Sequence, residues 1–220
     1  MKVAEIFYSV QGEINVGKPS VFVRLSGCNL IQSGKGCPWC DTKYAEKGED
    51  RTLEQIAEEV LSYPCRNLVI TGGEPLCQAE EVFDLLHELC KRDPNFDIPS
   101  KSSLEIETNG TIDHHLLGSF DFVNCSPKKQ AINLEVLKLI RGVNAHTRFK
   151  FVYENDKELW WEDIVNELNI PKSRVWIMPQ GISREEQLAR SPEVIEYCKK
   201  TGFNFTPRLH ILVWDLKRGV

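Results

Sequence analysis

Along most of the chain, short β-rich runs alternate with amphipathic stretches, and this limits the folds open to it. Asn67–Thr71, Leu104–Thr108, Phe120–Cys125, Arg148–Tyr153 and Arg174–Met178 are short and apolar, with the β-branched and aromatic residues of buried strands. Between them, Thr52–Tyr63, Ala79–Lys91, Asn133–Ile140, Lys157–Leu168 and Pro192–Lys200 space apolar residues three and four apart and are expected to be helices. Thr52 and Gln55 have the spacing of a capping box. Parallel strands need a crossover, and a helix supplies it, so the alternation predicts an α/β fold with a parallel sheet. With a further strand around Phe22, about six strands are expected, enough for an incomplete barrel of the TIM type. A doubly wound open sheet is the alternative that periodicity leaves standing.

Polar, Gly- and Pro-rich turns follow the strands: Thr71-Gly72-Gly73-Glu74-Pro75, Glu107-Thr108-Asn109-Gly110, Ser126-Pro127-Lys128 and Met178-Pro179-Gln180-Gly181. Barrels and open α/β sheets build their ligand sites from such turns, because the loops at strand C-termini converge on one mouth. The 220 residues, 41% of them hydrophobic, suffice for one domain spanning 1–220. A balance of 27 basic against 32 acidic side chains, net −5, lacks the basic surplus a nucleic-acid surface needs. No apolar run approaches the roughly 20 residues of a membrane span, and the first residues lack the pattern of a signal peptide. A cytoplasmic location is therefore expected, with the eight cysteines as reduced thiols or metal ligands.

Cys28, Cys37 and Cys40 are spaced Cys-x8-Cys-x2-Cys among Gly27, Gly34, Gly36 and Pro38, so one loop carries three thiols. A structural zinc takes four ligands, and neither a second Cys-x2-Cys pair nor a nearby histidine completes that set. A 4Fe-4S cluster held by three protein thiolates keeps one iron open to an exogenous ligand. Cys65, Cys77, Cys90, Cys125 and Cys198 are expected to be small buried hydrophobes.

With Trp39 before Cys40 and the Gly72-Gly73-Glu74-Pro75 turn, this loop resembles that of the radical SAM superfamily. The first cysteine gap is eight residues where the superfamily usually has three, a difference loop closure tolerates. Glu5 to Glu13 and Phe22 to Leu30, followed by Cys40-Asp41-Thr42, the four turns above and the ending Arg208 to Trp214, resemble the 7-carboxy-7-deazaguanine synthases within it. Ile14 stands where that family often has glycine.

The resemblance implies a radical SAM barrel whose cofactors are a 4Fe-4S cluster on Cys28, Cys37 and Cys40, S-adenosylmethionine (SAM) and Mg²⁺. SAM would be bound by Trp39, Cys40, Asp41, Gly73, Ser126, Pro127, Lys128, Met178, Pro179, Gln180 and Gly181. The substrate, 6-carboxy-5,6,7,8-tetrahydropterin, would meet Val10, Gln11, Gly12, Glu13, Arg24, Thr71 and the C-terminal Val220. Arg24 suits its carboxylate because a guanidinium forks onto two oxygens. Thr42 has two open roles, a Mg²⁺ ligand or a helix N-cap. Lys150, awkward to bury unpaired inside a strand, is expected to meet a ribose or a carboxylate, and His210 to be structural. Implied too are a reduced flavodoxin or ferredoxin as electron donor and, by common default, a homodimer. Two other functions stay in view: a glycyl-radical-enzyme activase, which would need a protein-docking groove, and a non-catalytic scaffold in which the cysteines staple a loop.

Overall fold

The computed structural model of the chain describes residues 1–40, 47–97, 101–155, 159–217 and 219. Among the described residues nine strands form one sheet: β1 (Lys2–Val10), β2 (Pro19–Leu25), β3 (Glu49–Asp50), β4 (Asn67–Gly72), β5 (Ser103–Thr108), β6 (Phe122–Cys125), β7 (Thr147–Tyr153), β8 (Val175–Pro179) and β9 (Asn204–Phe205). Their order is β3-β1-β2-β4-β5-β6-β7-β8-β9. From β2 through β4 to β9 every neighbour is parallel, whereas β1 folds back antiparallel on β2 and the two-residue β3 caps its outer edge. The parallel order never reverses, so there is no switch point and the doubly wound alternative is excluded. The two end strands, β3 and β9, do not pair with each other, which makes this an incomplete barrel.

Crossovers of one hand, always moving in one direction, put their helices on one face of the sheet. These are α2 (Leu53–Ser62), α3 (Ala79–Arg92), α4 (Leu134–Gly142), α5 (Trp161–Glu167) and α6 (Arg184–Thr201), whereas the short α1 (Asn29–Gln32) and α7 (Leu209–Trp214) contribute Leu30, Ile31, His210 and Ile211 to the lining of the cavity. Val23, Leu25, Ile70, Ile106 and Val123 from the strands join Ile56, Val60, Leu85, Leu137 and Val194 from the helices in one buried cluster. Full burial of each such side chain stabilises the fold by about 1.5–3 kcal/mol. Among the described residues no helix is long and apolar enough to cross a membrane.

The capping box at α2 is present in both directions, Thr52 Oγ1 accepting from Gln55 N and Gln55 Oε1 accepting from Thr52 N. Other boundaries differ from the periodicity. β6 begins at Phe122, because Phe120 caps a 3-10 turn at His115–Ser119, and α5 begins at Trp161. The last long helix starts at Arg184, not Pro192, under a second capping box between Ser183 and Glu186. Pro192 lies inside it, where only one ladder donor is lost. Cys125 and Cys198 are buried, and Cys65 and Cys90 pack partly against the core. Cys77 corrects the expectation: it is exposed, on the 3-10 turn Pro75–Gln78.

Candidate active site

Side chains alternate along a strand, and here the alternation separates core from cavity. On β2, Val21, Val23 and Leu25 join the core cluster, while Phe22 and Arg24 face the other way. The same period puts Thr71 of β4, Glu107 of β5, Ser126 just past β6, Lys150 of β7 and Met178 of β8 on one concave wall. They line a cavity of about 770 Å³.

The thiols of Cys28, Cys37 and Cys40 all open onto this cavity. Cys28 precedes α1 as its N-cap, and Cys40 N donates to Cys37 O at 3.1 Å. The Gly72-Gly73 turn is laced under the loop: Gly73 N donates to Leu25 O at 3.2 Å and Glu74 N to Gly27 O at 2.9 Å. A Cβ on Gly73 would lie 2.0 Å from Gly27 O, so only glycine permits this approach. The fully buried Glu74 carboxylate accepts from Thr108 Oγ1 (3.0 Å), Asn109 N (2.6 Å) and Leu76 N (3.1 Å), tying the turn after β4 to the one after β5. Asn109 in turn reaches Cys28 Sγ (3.9 Å), and Gln130 Nε2 reaches Cys37 Sγ (3.6 Å). Burial pushes the Cys37 thiol up, and the charge of Lys128 opposes it.

Lys128 Nζ donates to Ser126 Oγ (2.8 Å) and lies 5.7 Å from the centre of the Trp39 ring. Burial holds its ammonium below the usual lysine range. The Met178–Gly181 segment is fixed from below by the fully buried Gln187, whose amide donates to Pro179 O (2.8 Å) and Gly181 O (3.0 Å). Gln187 comes from the first turn of α6, the part of that helix which periodicity did not reveal.

In the same cavity lining, Glu13 forms a buried ion pair with Lys150 through Oε2 and lies 3.4 Å from Arg208 Nε through Oε1. Burial alone would raise the Glu13 pKa, yet the charges of Lys150 and Arg208 bring it down to about 2. Burial likewise works against the Lys150 ammonium, and the Glu13 carboxylate outweighs it and lifts its pKa. Lys150 therefore meets a carboxylate belonging to the protein. Thr71 Oγ1 donates to Glu107 Oε2 at 2.6 Å. Arg24 Nε donates to Glu5 Oε1 at 2.7 Å, and its guanidinium stands 5.8 Å from the Phe7 ring, itself stacked on Phe22. His210 faces the cavity too, packed so closely on Gly12 that a Cβ there would meet its Nδ1 at 2.2 Å.

Val10, Gln11, Gly12, Glu13, Arg24, Thr71, Trp39, Gly73, Ser126, Lys128 and Met178 to Gly181 thus share one cavity with the three cysteines. Pro127 is buried beside it without lining it. Asp41, Thr42 and Val220 lie outside the described residues. Glu107, Asn109 and Arg208 line the cavity although no role was read for them. Their signals were the Glu107-Thr108-Asn109-Gly110 turn and the Arg208 to Trp214 ending.

An incomplete barrel with three thiols beside Gly73 at its mouth is the arrangement of a radical SAM enzyme. The family model described as the radical SAM superfamily matches residues 23–155, and the chain belongs to that superfamily. It is 34% identical over 232 residues to the 7-carboxy-7-deazaguanine synthase of Hyperthermus butylicus, covering 97% of this chain and 92% of the relative. With the synthase of Pyrobaculum aerophilum it shares 33% identity, covering 100% and 97%. The chain is a member of the 7-carboxy-7-deazaguanine synthase family. Among solved structures, the crystal structure of QueE from Escherichia coli superposes with a TM-score of 0.66 at 22% identity, over 95% of this chain and 94% of that one. Native anSMEcpe with bound AdoMet and Cp18Cys peptide gives 0.55 at 17% identity, over 83% and 60%. Both likenesses concern the fold.

Membership implies a 4Fe-4S cluster, SAM and an external reductant. The residues present fit a cluster: three thiols line one cavity, with an amide donor at Cys28 and an amide donor and the Lys128 ammonium at Cys37. Among the described residues no three His, Cys, Asp or Glu side chains are gathered tightly enough for one metal ion. A cluster sets a separate iron under each thiolate, so it asks for a wider triangle than zinc does.

Proposed function

We propose that this chain, as one catalytic domain, converts 6-carboxy-5,6,7,8-tetrahydropterin to 7-carboxy-7-deazaguanine and ammonia. The observation that carries this reading is a single cavity lined both by cluster-type thiols and by the Glu13, Lys150 and Arg24 charges. When bound, the cluster and SAM supply the one-electron chemistry that activates C6 of the pterin. The chain's own residues bind and orient. Glu13, kept ionised by Lys150, accepts from the donor-rich pyrimidine edge, and Gln11 and the turn backbone complete that edge. Arg24, steadied by Glu5, takes the carboxylate. Lys128, Ser126 and the Met178–Gly181 loop hold SAM, while Phe7 and Phe22 help keep water from the reacting ring.

Thr42 joins the substrate in holding Mg²⁺, an ion that prefers oxygen ligands and keeps water or substrate in its shell. A reduced flavodoxin or ferredoxin delivers the electron, and the enzyme works in the cytoplasm as a homodimer. What supports these finer points is the resemblance of the motifs.

Arg24→Ala tests the substrate assignment. It is expected to keep cluster content and substrate-free reductive SAM cleavage, and to lose about 2–5 kcal/mol of pterin affinity, the range for one partner of a buried charged pair. Arg24→Lys restores only part, because an ammonium lacks the planar fork. Wild-type pterin affinity in Arg24→Ala, measured anaerobically, would place the carboxylate elsewhere.

A further inference from the structure

Beneath the cavity floor the inner face of the sheet carries a second polar cluster, of whose members only Gln11 also lines the cavity. At its centre is Glu105 of β5, 3% exposed and not among the cavity-lining residues. Its Oε1 accepts from Gln11 Nε2 (2.5 Å) and Asn124 Nδ2 (2.6 Å), and its Oε2 from Asn15 Nδ2 (2.6 Å). Two of these amides have no choice of orientation. Arg148 Nη1 donates to Asn15 Oδ1 at 2.6 Å, and a guanidinium cannot accept, so Asn15 must turn its NH2 to Glu105. The Glu13 N–H donates to Gln11 Oε1 at 3.2 Å, so Gln11 must turn its NH2 inward as well. Three donors thus converge on a group that has to accept on both oxygens. A carboxylate does this and an amide cannot.

Burial, and after it the charge of Glu107, pushes the Glu105 carboxyl up to about 7, so the ionised form is held at a free-energy cost. What that carboxylate grips is the turn between β1 and β2, residues 11–18. Inside this turn Ile14 is 1% exposed and Asn15 adopts the left-handed φ of 63°. Ile14 is therefore buried within the turn and does not occupy the position that needs left-handed backbone.

We infer that Glu105 is a positioning residue: by clamping Gln11 and Asn15 it holds the Gln11–Glu13 turn in register with β5 and so sets affinity for the substrate. This rests on assigning that turn to the pterin edge. The test compares the reconstituted holoenzyme with Glu105→Gln, anaerobically at pH 8, where the carboxylate is ionised. KM for 6-carboxy-5,6,7,8-tetrahydropterin is expected to rise about ten-fold or more, as for lost hydrogen bonds to a charge. The kcat and substrate-free SAM cleavage should stay near wild type. Amides of residues 11–18 should exchange hydrogen faster. Asn15→Gly keeps the left-handed backbone and deletes the Asn15 amide that bridges Arg148 to Glu105, so it should show the same KM-selective change even if Glu105→Gln does not fold. Glu105→Asp should restore part of the affinity. Unchanged KM and exchange in both Glu105→Gln and Asn15→Gly overturn the inference, and so does an equal fall in kcat, SAM cleavage and affinity. A wild type that cleaves SAM yet never converts the pterin overturns the substrate reading instead, and faster exchange at 11–18 in the variants would then still support the clamp.

Discussion

Replacing Glu13 with glutamine removes the charge that keeps Lys150 ionised inside the barrel. The two side chains are 13% and 9% exposed, so little solvent remains to take over from the missing partner. Lowering the Glu13 carboxyl from its ordinary 4.5 to about 2, at about 1.4 kcal/mol per pH unit, corresponds to about 3 kcal/mol of folding stability. A similar figure, about 3–5 kcal/mol, holds for buried pairs broken from one side. Because the folded-state pKa is depressed, this stability is fully present above pH 4.5 and is lost as pH falls towards 2. Urea unfolding of the metal-free protein, followed by tryptophan fluorescence, should therefore show Glu13→Gln about 3 kcal/mol less stable than wild type near neutral pH. The difference should shrink as the pH is lowered from 4.5 towards 2. Adding Lys150→Met should recover much of the loss, since the orphaned ammonium goes too, but not pterin affinity. A gap that is negligible at pH 7, or that does not change with pH, would mean the pair is not coupled as its geometry indicates.

Cys28→Ala, Cys37→Ala and Cys40→Ala should each abolish iron binding and SAM cleavage, with Cys65→Ala and Cys198→Ala retaining both; iron analysis and the visible spectrum decide. Gly73→Ala should lose cluster content although Gly73 ligates nothing, because its Cβ would collide with Gly27 O; a full complement of iron would contradict this. Added Mg²⁺ should raise turnover, and Thr42→Ala should blunt that response more than it weakens SAM binding; equal wild-type rates with Mg²⁺ and with chelator would return Thr42 to helix capping.

The strands from β2 to β8 that run parallel, and the turns at their C-termini, were readable because each is short and largely apolar, and all but β7 are soon followed by Gly or Pro. That was enough to anticipate the barrel and most of its mouth. Leu104–Thr108 was read as a buried strand, but nothing in Leu104-Glu105-Ile106-Glu107 told what Glu105 would meet. Only barrel curvature and the 11–18 turn make its face of the strand interior. The start of α6 was hidden by Pro192, which resembles a first-turn proline, although Ser183 and Glu186 carried the capping signal. Arg24 was legible as a buried cation, but its Glu5 partner depends on how β1 pairs with β2, and periodicity did not mark β1 as a strand. Glu107 and Arg208 sit in motifs that were noticed as patterns without a chemical role.

Anaerobic incubation of the reconstituted protein with SAM, a one-electron reductant and 6-carboxy-5,6,7,8-tetrahydropterin, with the products separated by chromatography and identified by mass, bears most directly on the assignment. Time-dependent formation of 7-carboxy-7-deazaguanine, with ammonia released in equal amount, is the expected result. A protein with about four irons per chain that cleaves SAM reductively while leaving the pterin unchanged would contradict the assignment and keep only the superfamily.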